Sequence, residues 1–429
     1  MELLDFQKEV CDKIEKEYNF KCILAASMGM GKGVMASELI KRKGLPLNFV
    51  VCPAHIKYYW VNTLKEHLGK GWQVHLAETK EDSFLLLRKY KHVIVMSYNI
   101  FNEKWTEMLF KGCGIVFDES HYLKDLKSQR TKKALSFINT VKPQLILLLT
   151  GTPILNNPMD LWPQINMINN KLFPSPYKYI QEFTIPRKTR WGIDFSIAKN
   201  IRKLHNILTK SKVMLRITWE DVDYSLPEQT RIIIPIVSPE DEITELIEQI
   251  EKENKQIHIS QYRILVGKKK LKPSIEFIRE RLNDVNRIVV FAYHREITTK
   301  LAKELSKYAE VKLIIGGISS KKKHLAEKWF NEKTEDKRII VANIDAGGTG
   351  LNLPEADCVV FVELDWTPAK LEQAEKRVQR LNSKKTSIVY YLISDDKIER
   401  AIVNTLNRKQ NTISRIIDGK KKRMFAKMG

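Results

Sequence analysis

Short runs of unbroken apolar residues recur along this chain, each ending in small or polar residues and separated from the next by an amphipathic stretch. Such runs are too short for buried helices and too apolar for strands with one wet face. They suit strands covered by helices on both sides. In the first half they fall at 22–26, 47–52, 92–97, 114–118 and 145–150. In the second half they fall at 231–237, 287–292, 311–315, 338–343, 359–363 and 387–393. Helical patterns fill the intervals, for example at 56–68, 296–305 and 369–380. The alternation predicts an α/β fold built on parallel sheets. No longer period repeats, which excludes solenoids and propellers.

From about residue 155 to 225 the pattern changes. Pro158, Pro163, Pro174, Pro176 and Pro186 punctuate helical pieces, and Arg187, Lys188 and Arg190 precede Trp191. We read residues 1–225 as a first lobe that includes a helical insertion over about 155–225. Residues 226–429 form a second lobe, with a basic C-terminal tail after about Leu406 that is mobile or follows DNA.

The 429 residues are 43% hydrophobic, too apolar for a disordered chain. The longest uncharged stretch, 143–159, contains three prolines and cannot span a bilayer. The opening MELLDFQKEV has no basic n-region or apolar h-region, so no signal peptide is expected. Five cysteines, never spaced C-x-x-C, argue against disulfides and zinc knuckles and for a reducing interior, cytoplasmic or nuclear. The net charge of +22 suits a nucleic-acid binder, since Lys and Arg release counterions from phosphates. A solvated Lys-rich surface is the alternative, and the basic runs at 268–270, 321–323 and 420–423 read individually as solvated.

Three strand ends carry chemistry. Ala26-Ser27-Met28-Gly29-Met30-Gly31-Lys32-Gly33 lies between a strand and a helix, the context of a phosphate loop whose backbone N–H groups surround phosphates while Lys32 reaches them. Ala26 replaces the first glycine of that motif and Gly33 its hydroxyl residue, so a Gly-rich turn remains open as a reading. Next, Ile115-Val116-Phe117 ends in Asp118 and Glu119, placing two carboxylates where open sheets bind ligands. Asp118 is placed to hold Mg²⁺ and Glu119 to deprotonate water; a polar strand end is the bland alternative. Thr150-Gly151-Thr152-Pro153 puts small polar residues at a third strand end. In the second half, 343–353 is rich in small residues, which suits close backbone approach to a ligand as well as a surface loop. Gln373, Arg377 and Arg380 share a face if the helix runs through them.

The order FQ, MGMGKG, DESH, TGTP, GGTGLNL, QAEKRVQR resembles the motif series of helicase superfamily 2. TGTPILNNPMDLW, VMLRITWEDVDYSLPEQT and VELDWTPAKLEQAEKRVQR resemble segments of its SNF2 family. DESH, the FAYH segment at 291–294 and VVFVELDW look most like the annealing-helicase, fork-remodelling branch. The resemblance covers nearly the whole chain and implies two RecA-like lobes, ATP and Mg²⁺ as cofactors, and DNA as partner. It implies that Gln7 reads adenine, that Met28, Gly29, Met30, Gly31, Lys32 and Gly33 surround the phosphates, and that Asp118 carries magnesium with Glu119 as catalytic carboxylate. Gly350 and Gln373 complete the nucleotide site by the same resemblance, with Arg377 and Arg380 as arginine fingers. By position, the family's strand-gripping loops map onto Pro53, His55, Ser97, Tyr98, Asn99, Gly316, Gly317 and Thr349.

The chain departs from the family at Gly33, at Gln379 where His is usual, and at RLNSKK where R-I-G-Q is usual. No segment resembles a zinc finger, bromodomain or chromodomain. The expectation is a monomeric, ATP-driven translocase of duplex, forked or four-way DNA, with no membrane role, acting in branch migration or fork remodelling. A single-strand-tracking DNA or RNA helicase is one alternative, and a DNA-binding scaffold with a weakened ATPase is another. No strand-separating pin is apparent in the sequence.

Overall fold

The computed structural model describes residues 2–102, 104–107, 112–189, 192–222, 229–237, 258–347, 351–378 and 387–425, together with 243, 245–247 and 249. The chain divides into two compact units, Met1–Tyr224 with Asn411–Lys422, and Ser225–Gln410 with Arg423–Gly429.

The first unit is built on a seven-stranded parallel sheet. Its strands are β1 (Lys21–Ala26), β2 (Leu47–Cys52), β3 (Trp72–Leu76), β4 (Lys91–Ser97), β5 (Cys113–Asp118), β6 (Leu145–Leu149) and β9 (Met214–Ile217), in the order β3-β4-β2-β5-β6-β1-β9. Every side chain of β2 and β6 is buried, and apolar clusters cover both faces of the sheet. The all-apolar runs follow from that two-sided cover. β3 and β9 escape the sequence reading because they are short edge strands, β3 only half-buried throughout.

The insertion holds more than helices. Between Trp162–Ile168, Pro176–Phe183 and Ile201–Lys210 lies an antiparallel ribbon of β7 (Thr184–Thr189) and β8 (Gly192–Ala198). Alternating β-branched and aromatic residues in IDFSI favour the extended chain there. The expected C-terminal tail is also ordered through most of its length. Helix Lys397–Ile417 runs past Leu406, Ile416 and Ile417 are buried in the first unit, and Asp418 pairs with Arg216 at 2.7 Å. The apolar residues Ile413, Ile416 and Ile417 give this segment a face to bury, which overrides its basic composition.

The second unit carries a six-stranded parallel sheet of β10 (Gln229–Ile236), β11 (Arg287–Ala292), β12 (Glu310–Ile314), β13 (Arg338–Asn343), β14 (Cys358–Phe361) and β15 (Ser387–Ser394), ordered β10-β15-β14-β11-β13-β12. Lys270, fully buried, donates to Leu392 O at 2.6 Å and to both oxygens of Glu399 at 2.8 Å, so all three ammonium protons are used. Together the units bear out an α/β architecture of two parallel-sheet lobes.

All five cysteines are free and buried. Burial pushes the Cys113 thiol up to about 11, and Cys11 and Cys358 up to about 12. Among the described residues no helix is long and apolar enough to cross a membrane.

Candidate functional site

In the first sheet β6 lies between β1 and β5, pairing Leu149 with Leu24 on one side and with Asp118 on the other. The ends of these three strands therefore sit side by side at the C-terminal edge. After β1 the chain turns through Gly29 (φ 82°) and Gly31 (φ 76°), left-handed conformations that favour glycine. Helix Lys32–Lys43 starts there with Gly31 as its N-cap. Lys32 Nζ donates to Ala26 O at 2.9 Å and to Ser27 O at 3.1 Å, folding the ammonium back over the loop.

Two side chains brace this loop. Gln7 Nε2 donates to Met30 O at 3.0 Å, while its Oε1 accepts from Leu4 N at 3.0 Å. A Cβ on Gly31 would come within 2.4 Å of Gln7 Nε2, so the glycine is required for this approach as well as for its backbone angle. Trp219 donates from Nε1 to Met28 O at 3.1 Å and meets Phe6 edge-on at 6.1 Å. The sequence reading missed Trp219. Its only signal is a large aromatic just beyond a short edge strand, which reads as packing.

Asp118 is held on both oxygens. Trp60 Nε1 donates to Oδ2 at 2.8 Å and the Glu119 N–H to Oδ1 at 2.9 Å. Burial first, then the neighbouring Glu119 charge, raises its carboxyl to about 6, against the pull of Trp60 and Lys32. Glu119 takes a left-handed backbone (φ 51°, ψ 53°), a strained state for a non-glycine residue at a strand-to-helix turn. His121 Nδ1 lies 3.2 Å from Glu119 Oε2 and 3.4 Å from Thr150 Oγ1, bridging two of the strand ends. Ser120 donates to Gln164 Oε1 at 2.9 Å, and Gln164 Nε2 donates to Pro153 O and Asp160 O, both at 2.9 Å.

The surroundings of Gly33 leave room for a side chain, so nothing in the structure requires a glycine there. A Cβ there would lie 3.7 Å from the Trp60 ring and 3.9 Å from Tyr59, ordinary contact distances. The ring whose N–H grips Asp118 thus stands beside the position where a hydroxyl is usual.

Among the described residues no group of three His, Cys, Asp or Glu side chains could hold a metal by itself. A magnesium ion carried by nucleotide phosphates needs only one or two carboxylates. Asp118, with lone pairs left over, meets that requirement. The buried hydroxyl of Thr152 has no partner among the described residues, and two left-handed glycines precede Lys32 at a helix N-terminus. These residues fit a magnesium-bound nucleotide.

Other expected residues are placed differently. Tyr98 is buried against Phe117 and Tyr122 and donates to Asp118 O at 2.7 Å, so it supports Asp118 from within and its ring faces no base. Pro53 and Ser97 are buried too, His55 is half-buried, and Asn99, Gly316 and Gly317 are exposed. In the second unit the helix Pro368–Glu375 ends before Arg377, which lies in the following turn, so Gln373 and Arg377 do not share a continuous helical face. The helix stops where Glu375, fully buried, is claimed by Arg231 at 2.7 and 2.9 Å and by the hydroxyl of Tyr391. Lys323, assigned above to a solvated run, is half-buried and donates to Ala346 O at 2.8 Å; burial and then the Arg377 charge push its ammonium down. Gly350, Thr349, Gln379 and Arg380 lie outside the described residues.

Comparison with known proteins gives the family. Residues 7–287 match the SNF2-related domain and residues 269–382 the helicase conserved C-terminal domain. The chain is 27% identical over 96% of its length to the SWI/SNF-related matrix-associated actin-dependent regulator of chromatin subfamily A-like protein 1 homolog of Caenorhabditis elegans. It is 26% identical over its whole length to the DNA annealing helicase and endonuclease ZRANB3 of Homo sapiens. It spans 62% and 41% of those relatives. The Sulfolobus solfataricus SWI2/SNF2 ATPase core in complex with dsDNA aligns over 95% of this chain and 90% of its own, at 20% identity and a TM-score of 0.46. With the SNF2-related match running from Gln7 through both parallel sheets' first strands, the chain belongs to the SNF2-related family.

Proposed function

We propose that this chain is an ATP-driven motor that translocates on duplex DNA and remodels branched DNA. The observation that carries the reading is the gathering of Lys32 after β1, Thr152 after β6, and Asp118 with Glu119 at the end of β5, on three adjacent strand ends, with Asp118 oriented by two donors. Lys32 leaves its carbonyl partners to meet the nucleotide's outer phosphates, and the N–H groups at the start of helix Lys32–Lys43 would meet the same charge. Gln7, already against the loop, reads the base. Asp118 holds the nucleotide's magnesium, which when bound neutralises charge developing on the transferred phosphoryl group. Glu119 orients water and takes its proton, and His121 keeps Glu119 in register with Thr150. Arg377 is our candidate for stabilising charge in the transition state.

One relative is a DNA annealing helicase, and re-pairing of strands takes place where single strands meet duplex, which supports branched DNA as the substrate. The net charge of +22 supports backbone contacts that carry no base code. The test is the ATPase rate on single-stranded, linear duplex, forked and four-way DNA at fixed salt, with ATP-driven conversion of the four-way junction followed alongside. Stimulation by duplex and junction conversion are expected. Stimulation by single strands alone, with unwinding of a tailed duplex and no junction conversion, would replace this reading with a single-strand helicase.

A further inference from the structure

The ribbon β7–β8 belongs to neither parallel sheet. Its base is firmly set. Thr184 is fully buried with its hydroxyl donating to Ile180 O at 2.9 Å, and Lys199 N donates to Phe183 O at 2.9 Å. Beneath it Phe173, Tyr179 and Phe183 pack with ring centroids 5.0 to 5.5 Å apart. The Tyr179 hydroxyl donates to Pro158 O at 2.9 Å. Pro158 begins the short helix after the Thr150–Pro153 strand end, the segment that Gln164 ties to Ser120. The ribbon therefore stands on the elements that carry the nucleotide-site strand ends.

Among the described residues its outer half has no such cover. Lys188 stands opposite Ile193 and Arg187 opposite Asp194; Ile185, opposite Ile197, lies nearer the base, beyond a register shift between Ile185 and Arg187. Opposite residues share a face and successive residues alternate, so Lys188 and Ile193 project from one face and Arg187 from the other. Ile185 is 47% exposed and Ile193 62% exposed, and neither joins the apolar core. Arg187 is 67% exposed and only loosely matched by Asp194 at 3.8 Å. Over residues 176–203 the acidic residues are Glu182 and Asp194, against seven basic ones.

A protein partner would be met by one apolar face with a polar rim. Here apolar and basic side chains stand together near the end of a two-faced ribbon. A DNA branch point matches that: two polyanionic arms diverge, and the last base pair of each exposes an apolar stacking face between them. We propose that β7–β8 is a branch-point binding element, with Ile193 against an exposed base-pair face and Lys188 and Arg187 on the phosphates of the diverging arms. This rests on the DNA-motor reading above.

The test compares wild type with Arg187→Glu/Lys188→Glu and with Ile193→Ser. Anisotropy gives affinity for a four-way junction and for linear duplex of equal length over a salt series, and linear-duplex ATPase reports an intact motor. The charge variant should lose about tenfold in junction affinity, with a junction salt slope smaller by about two. Ile193→Ser should lose a few-fold on the junction. Linear-duplex binding and ATPase should stay within about twofold in both, as for a site outside the linear-duplex track. Unchanged junction preference in both variants overturns the proposal, as does an equal loss on linear duplex and junction. Absence of DNA-stimulated ATPase in the wild type would instead sink the motor reading itself.

Discussion

The indole N–H of Trp60 donates to Oδ2 of Asp118 across 2.8 Å, so a helix side chain fixes the carboxylate at the end of β5. The same ring passes 3.7 Å from where a side chain on Gly33 would begin. One aromatic residue thus connects helix Lys32–Lys43 to the carboxylate proposed to carry magnesium. Trp60→Phe keeps the ring and removes the donor. Hydrogen bonds to charged groups contribute about 1.5–3 kcal/mol, so the Mg²⁺ concentration for half-maximal binding of a fluorescent ATP analogue should rise about tenfold. Gly33→Thr in that background adds a hydroxyl with room to fit and should recover part of the loss. A magnesium curve identical to wild type in Trp60→Phe would remove Trp60 from this role.

Asp118 sets a pH dependence. Its carboxyl is raised to about 6 in the fold from an ordinary value of 3.8, so the native state holds the extra proton between those values. Ionising it therefore costs stability as pH rises through that window, while the ionised form needed for a cation exists only above it. Magnesium-dependent nucleotide binding should fall off below about pH 6. Between pH 4 and 7 the wild-type Tm should drop relative to that of Asp118→Asn; parallel Tm profiles would contradict this assignment.

Glu119→Gln keeps the size of the side chain and removes the base. We expect nucleotide affinity within a few-fold of wild type and turnover lower by about 10²–10⁴. Equilibrium binding and single-turnover phosphate release measure the two separately. Near-normal turnover would move the base elsewhere.

Trp219 acts on the loop from outside. Trp219→Ala removes its bond to Met28 O and its contact with Phe6, and should weaken ATP binding about tenfold. Trp219→Phe, which retains the ring, should fall between. Because the indole abuts the loop, ATP should change tryptophan fluorescence in wild type and less in either variant.

The buried Lys270–Glu399 pair gives a stability test. Lys270→Ala leaves a buried carboxylate without its partner and should cost about 3–5 kcal/mol, read from denaturant unfolding. Lys270→Met with Glu399→Leu replaces both charges and should be much closer to wild type. Equal losses in the two variants would show that the pair's own bonds, not the penalty of an unpaired charge, dominate there.

The three strand ends of the candidate site were legible as neighbours in an α/β sheet because an apolar run that stops at small or acidic residues is a local signal, as at Ala26, Asp118 and Thr150. Trp60 and Trp219 were not legible, because their roles come from partners far along the chain and a lone tryptophan reads as core. Tyr98 follows a strand in the manner of a binding loop, yet its ring turns inward to Asp118 O. The end of the helix at Glu375 has no glycine or proline to announce it; Arg231, distant in sequence, claims the residue. The ribbon was hidden for a related reason, since prolines around a basic cluster suggest broken helices, while pairing between its strands is decided by register.

The burial of every native thiol has a practical consequence. A reagent that needs a thiolate meets five sulfurs that are both out of reach and held protonated at neutral pH. One cysteine introduced on the surface, at Lys188 for instance, would be the reactive one. A dye could then report the ribbon's surroundings on different DNA substrates without first stripping cysteines from the core.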